Sequence, residues 1–266
     1  MRPRASVLVG VATLAVAALV QAATPASGSQ AAGEPTFAGE PFGSPAVRTV
    51  ADTVAVSAAA AGRRARRPRH ELVRVVGPIA LSDRPGGPAK HRLEATTEFG
   101  TPRVLGVAAR RGGWLGVVTS ARPNGRLAWV RGGQRSLRPD RTRWSLHADL
   151  SRRSLVLRAG GRPVARAAVA IGRPESPTPT GRFAVTDKLD GSRFSPYYGC
   201  CVLALSGSQP NPPPGWTGGN RLAIHGTNTP GTIGAAASAG CLRAADADLR
   251  VLMRKAPLGT PVFIRR

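Results

Sequence analysis

Cys241 and His225 are the two residues of this 266-residue sequence whose types and settings could do chemistry together. Cys241 sits in Ser238-Ala239-Gly240-Cys241-Leu242-Arg243, and His225 closes the apolar stretch Leu222-Ala223-Ile224. A thiol becomes a nucleophile when it has a base, a positive local potential and donors for the oxyanion it creates. His225 can be the base. A helix starting soon after Cys241 can lower the thiol pKa through its N-terminal end. The Gly240 and Cys241 backbone N–H groups can face a reacting carbonyl, and Gly240 keeps that approach open. The plainer readings are a small buried hydrophobe for the cysteine and a satisfied loop or core residue for the histidine. Arg243, a cation just ahead of a helix start, opposes the macrodipole. It either meets a carboxylate ligand or makes a local ion pair with Asp246, worth little if exposed.

These residues must be held by β structure. Alternation over Leu72–Val76 predicts a strand, and Val104–Ala109 and Trp114–Val118 flank Arg110-Arg111-Gly112-Gly113 as a hairpin. Leu127–Val130 is a further strand. Trp144–Leu150 alternates, and Ser154–Leu157 and Val164–Ile171 form a second hairpin around Gly160-Gly161. Phe183–Val185, Cys201–Leu205, Leu222–Ile224 and Val262–Ile264 read as strands. One helix is predicted over Ala245–Lys255, with Leu249, Leu252 and Met253 on one face and Asp246 pairing with Arg250. Pro257 and Gly259 stop it. The absence of βαβ alternation argues against a parallel sheet. The fold class expected is mainly β with one helix near the C-terminus.

The N-terminus reads as an export signal. A positive Met1-Arg2-Pro3-Arg4 precedes the uncharged run Ala5–Val20 and the small-residue site Val20-Gln21-Ala22. An uncleaved membrane anchor is the rival reading. Residues 23–69, rich in Ala, Gly, Ser, Thr and Pro and ending in Arg63, Arg64, Arg66, Arg67 and Arg69, read as a flexible linker. Residues 70–140 and 143–266 follow as two β domains. The net charge is +24, with Lys90, Lys188 and Lys255 the only lysines. Without interleaved aromatics or a recognisable module, that charge points to a solvated Arg-rich surface or to an anionic envelope polymer rather than nucleic acid. No nucleotide-binding glycine motif, C-x-x-C or H-E-x-x-H occurs, so neither a cofactor nor a metal is expected. Of three cysteines, Cys200 and Cys201 are adjacent. A bridge between neighbours is uncommon, and their plainer reading is strand packing. The odd count leaves one thiol free or paired between molecules, and Cys241 is expected to be free.

His225-Gly226, followed sixteen residues after the histidine by the cysteine of Ser238-x-Gly240-Cys241-x-Arg243, resembles the signature of YkuD-type L,D-transpeptidases. Pro177-Thr178-Pro179-Thr180-Gly181-Arg182-Phe183 is similar to that family's T-P-x-G-x-F turn, and Leu258-Gly259-Thr260-Pro261-Val262 to its G-T-x-V ending. Tyr197-Tyr198-Gly199 falls where the family's lid would be. The resemblance covers 143–266 and implies a YkuD-like β-sandwich or barrel. The strand spacing of 70–140, with Trp114 and Trp129, resembles the small SH3-like barrels that accompany wall enzymes. One departure is Ala239, where many members have histidine, so His225 is the only nearby base in sequence.

The resemblance implies a cell-wall enzyme outside the cytoplasm, acting as a monomer. Cys241 would attack the third residue of a donor tetrapeptide stem, release D-alanine and hold a thioester. An acceptor-stem amine would then complete a 3→3 peptidoglycan cross-link. His225 would move protons, and the Gly226 carbonyl would orient it. Backbone donors around Ala239, Gly240 and Cys241 would bind the oxyanion. Ser238 would shape the loop, while Arg243 and Tyr198 would meet substrate. Two other readings are an L,D-carboxypeptidase or endopeptidase on the same scaffold, and a non-catalytic peptidoglycan-binding protein.

Overall fold

The computed structural model describes residues 69–215 and 219–266. The expected signal (1–22), and the linker up to residue 68 with Arg63, Arg64, Arg66 and Arg67, lie outside the described residues. The upstream region is built from β1 (His70–Val75), β2 (Ile79–Ser82), β3 (Ala89–Leu93), β4 (Val104–Arg111), β5 (Trp114–Val118), β6 (Ala128–Arg131) and β7 (Leu137–Thr142). They form one antiparallel sheet in the order β3-β2-β6-β5-β4-β1-β7. Gly112 and Gly113 both take positive φ, as a two-residue hairpin turn between β4 and β5 requires. Val73, Leu81, Leu105, Val117 and Val130 fill the core of this sheet.

The downstream region contains β8 (Trp144–Asp149), β9 (Ser154–Ala159), β10 (Arg162–Ala168), β11 (Ile171–Gly172), β12 (Gly181–Asp190), β13 (Cys201–Ser208), β14 (Arg221–His225), β15 (Ala236–Ser238), β16 (Leu242–Arg243), α1 (Asp246–Lys255) and β17 (Pro261–Arg265). Eight of the strands make a sheet ordered β10-β9-β8-β17-β12-β13-β14-β16, with β11 and β15 paired beside it. The region is mainly β with a single α-helix among the described residues, as the sequence implies. The sheet is mostly antiparallel, in keeping with the missing βαβ alternation, with two parallel pairs that the sequence did not announce. β17 runs parallel to β8, and β16 runs parallel to β14. A βαβ pattern could not announce these pairs. β16 is two residues long and is reached from β14 through a loop with no α-helix. The β8 partner is the last strand of the chain.

Apolar side chains on the inner faces (Leu146, Leu157, Phe183, Leu203, Leu205, Ile224) meet Leu249 and Leu252 of α1. Leu249 is wholly buried, and a side chain of this kind contributes on the order of 2 kcal/mol when removed from water. That anchors α1 and, through it, the chain following β16. Asp246 and Asp248 in the first turn and Arg254 and Lys255 in the last complement the helix dipole. The expected Asp246–Arg250 pair is absent among the described ion pairs, because Asp246 is engaged elsewhere.

The two sheets are joined by polar contacts at defined points. Asn124 donates to the Ser208 carbonyl at 2.6 Å and accepts the Ser208 N–H at 3.0 Å. Thr97 donates to the buried Asp187, Arg182 donates to the Val107 carbonyl at 2.9 Å, and Arg221 pairs with Glu98. Gly259, at φ +77°, allows Val104 and Leu72 to pack where a side chain would overlap them.

Candidate active site

The parallel register Ile224↔Leu242 and His225↔Arg243 brings the two motifs side by side. Side chains alternate along a strand. Ala223 and His225 therefore share one face with Cys241, which adjoins β16, and Arg243. The antiparallel pairing of β14 with β13, Val202↔His225, fixes the other side of the histidine strand. Cys241 and His225 line one cleft, open to solvent, with Tyr197, Tyr198, Gln209, Arg221 and Ala239 in its walls.

His225 is fully buried, and its Nδ1 lies 2.6 Å from the Gly226 carbonyl oxygen. A carbonyl only accepts, so Nδ1 carries the hydrogen and Nε2 presents a lone pair. Nε2 is buried with no hydrogen-bond partner among the described residues. Burial lowers the imidazole pKa to about 4; the Gly226 carbonyl works against that shift and the Arg243 guanidinium adds to it. The rings of Tyr198 and Tyr197 lie against the imidazole, with centroids 4.9 and 5.5 Å away. Burial, then the adjacent Cys241 and Tyr197, push the Tyr198 phenol up.

Cys241 is a free cysteine, as expected. Its thiol pKa is raised by burial, which outweighs the Ala223 backbone hydrogen bond and the Arg243 charge. This corrects the expectation of a thiol lowered by the helix end. α1 begins only at Asp246, and its first turn carries two acids. The resting pair is a neutral thiol and a neutral imidazole in one cleft.

The loop before Cys241 is tied internally. Ser238 Oγ accepts the Gly240 N–H at 3.0 Å and donates to the Cys241 carbonyl at 2.6 Å. The Gly240 amide, expected to face a reacting carbonyl, is therefore already engaged. That leaves the Cys241 amide as the candidate oxyanion donor of the pair. The Ala239 carbonyl accepts from Gln209 Nε2 at 3.1 Å, and the same amide group reaches the Pro177 carbonyl at 3.0 Å. Gly240 takes φ +115°, and a side chain there would overlap Gln209. Nothing in the sequence around Gln209 announces this tie, because its partners are backbone groups 32 and 30 positions away.

Arg243 is buried and makes no ion pair with Asp246. Its guanidinium donates to the Tyr197 hydroxyl and lies 4.6 Å from the Tyr197 ring centre, and its Nε is buried without a partner among the described residues. Asp246 instead accepts the Cys200 N–H at 2.9 Å and the Thr227 N–H at 3.3 Å. Cys200 and Cys201 are bridged, where strand packing was the plainer expectation. Neighbours within a strand point to opposite faces. Cys200 lies just before β13, after Gly199 at φ +59°, so the two side chains can meet. His147 stacks on Phe263, His70 lies tilted against the same ring, and neither lines the cleft.

The family model for the L,D-transpeptidase catalytic domain, YkuD, matches residues 143–264. The YkuD protein of Bacillus licheniformis is 31% identical over 128 residues, which is 47% of this chain and 68% of that protein. The YkuD protein of Bacillus subtilis (strain 168) is 30% identical over 125 residues, 46% of this chain and 66% of that protein. The chain thus spans about two thirds of the length of these relatives. Among solved structures, an L,D-transpeptidase from Mycobacterium smegmatis superposes with a TM-score of 0.37 at 18% identity, covering 53% of this chain and 73% of that one.

Proposed function

The chain belongs to the L,D-transpeptidase catalytic domain family, and from that membership and the cleft chemistry we propose that it forms 3→3 peptidoglycan cross-links through a Cys241 thioester. The observation that carries the reading is the buried His225 Nε2, without a hydrogen-bond partner among the described residues, in the same cleft as the free Cys241 thiol. Nε2 takes the thiol proton as sulfur attacks the carbonyl carbon of the third stem residue. The Cys241 amide stabilises the oxyanion; one such donor is typically worth ~10²–10³ in rate. The imidazolium returns the proton to the departing D-alanine amine as the C–N bond breaks. The acceptor-stem amine then attacks the thioester and gives its proton to Nε2, and the thiolate that leaves recovers it. No ATP is consumed, because the thioester holds the acyl group in activated form.

The neutral resting pair suits this sequence. Charge separates only as the thiol attacks, in a cleft where the Ala223 amide and Arg243 favour the thiolate. Export through the N-terminal 22 residues would place the reaction in the envelope, and the positive charge would hold the protein near anionic wall polymers. Residues 70–140 would act as an SH3-like bracing domain for the downstream sheet. The test is product analysis of a tetrapeptide-stem muropeptide with and without an acceptor amine. Cross-linked dimer together with free D-alanine is the expected result. Tripeptide product alone, at equal rates in both arms, would assign a carboxypeptidase instead.

A further inference from the structure

His225 Nδ1 is held by the carbonyl of the peptide joining Gly226 to Thr227. In a trans peptide the carbonyl and the N–H point in opposite directions. The Thr227 N–H therefore points away from the imidazole, and Asp246 Oδ1 receives it at 3.3 Å. The other oxygen of the same carboxylate accepts the Cys200 N–H at 2.9 Å. The Gly226 N–H is engaged by the Cys201 carbonyl at 3.0 Å, so the peptides on both sides of Gly226 are fixed. Side chains at Gly199 or Gly226 would overlap Asp246 Oδ1, so both glycines are needed for the carboxylate to lie against the backbone. No ion pair among the described ones involves Asp246.

We propose that Asp246 is a positioning residue for His225, its carboxylate orienting and polarising the Gly226–Thr227 peptide whose carbonyl accepts the imidazole Nδ1–H. Hydrogen bonds in a chain strengthen one another, and a charged acceptor at one end strengthens the carbonyl at the other. The effect is greatest when His225 holds the thiol proton and its Nδ1–H is most acidic. The remaining polar and titratable groups facing His225 are the Arg243 guanidinium, which opposes the imidazolium, the Tyr197 and Tyr198 phenols, and the Cys241 thiol. The bridged Cys200–Cys201 pair does not titrate. Asp246 supplies the negative charge that favours the imidazolium, from one peptide away. This proposal rests on the reading of His225 as the base.

The experiment compares the full chain with Asp246→Asn and Asp246→Ser. Serine is included because it brings no amide donor up against the Cys200 and Thr227 N–H groups. Acylation by a tetrapeptide stem is measured as rate at saturation and as KM, and His225 is titrated by NMR of its ring C–H signals. The expected result is a rate loss of ~10-fold or more with KM within about twofold, and a His225 midpoint moved to lower pH. A loss of rate that follows only the loss of folded protein, with the His225 midpoint unmoved in both variants, would make the carboxylate a structural tie and overturn the proposal. His225→Ala is run alongside. Wild-type acylation in that variant would overturn the base assignment, while the His225 titration still answers for the carboxylate.

Discussion

An imidazole that stays neutral down to about pH 4 and a thiol that resists ionisation give the site an unusual pH dependence. In the proposed mechanism the form that reacts, neutral thiol and neutral imidazole in one cleft, is the one populated across the neutral range. The acid limb of the acylation rate is therefore expected near pH 4 rather than near the usual histidine value of 6.5. A pH–rate profile of acylation with a limb near 6.5 would contradict this. Arg243→Lys shortens and repositions the cation, losing the stacking on Tyr197 and the fixed fork of donors. The expected outcome is a slower acylation, with the acid limb moved upward because the shorter side chain holds its unit charge farther from the imidazolium. Cys241 and His225 were legible in the sequence from type and setting, and the Gly226 carbonyl that meets the imidazole only from the family resemblance. The protonation states were not, because burial sets them and burial comes from strands far apart in the chain.

At the scale of elements, the short parallel pair β14–β16 and the loop 238–241 decide whether sulfur and imidazole meet. Gly240→Ala forces a side chain into the Gln209 amide group at a backbone angle that favours glycine. It should lower acylation by ~100-fold while far-ultraviolet circular dichroism stays near wild type. An undiminished rate would show that the Gln209 tie does not position the loop. Leu249→Ala removes a fully buried side chain under α1 and should cost ~2–5 kcal/mol in denaturant unfolding. Most strands and the helix were readable from alternation and from the 3.6-residue period. The two-residue strands β11 and β16, and hence the parallel pairing at the site, were not, since so short an element carries no period. Asp246 was visible but misassigned, because i,i+4 spacing suggests Arg250 while the fold offers two backbone N–H groups.

At the scale of the whole molecule, the depressed His225 pKa couples folding to pH. Above pH 6.5 neither state protonates this imidazole. Between 6.5 and about 4 the unfolded chain binds a proton that the folded one refuses, so stability falls as pH falls. The loss from this group is at most about 3 kcal/mol, and His70 and His147, also lowered by burial, add in the same direction. Unfolding curves at pH 7 and pH 4 should therefore differ more for wild type than for His225→Gln; equal differences would contradict the burial of a neutral ring. The most direct measurement of the central claim is the mass of the intact protein after brief exposure to a tetrapeptide-stem muropeptide. The expected result is an adduct equal to the donor stem less D-alanine, carried on Cys241 and absent from Cys241→Ala. An unmodified wild-type protein that nonetheless releases D-alanine from the muropeptide, at a rate that Cys241→Ala matches, would contradict it.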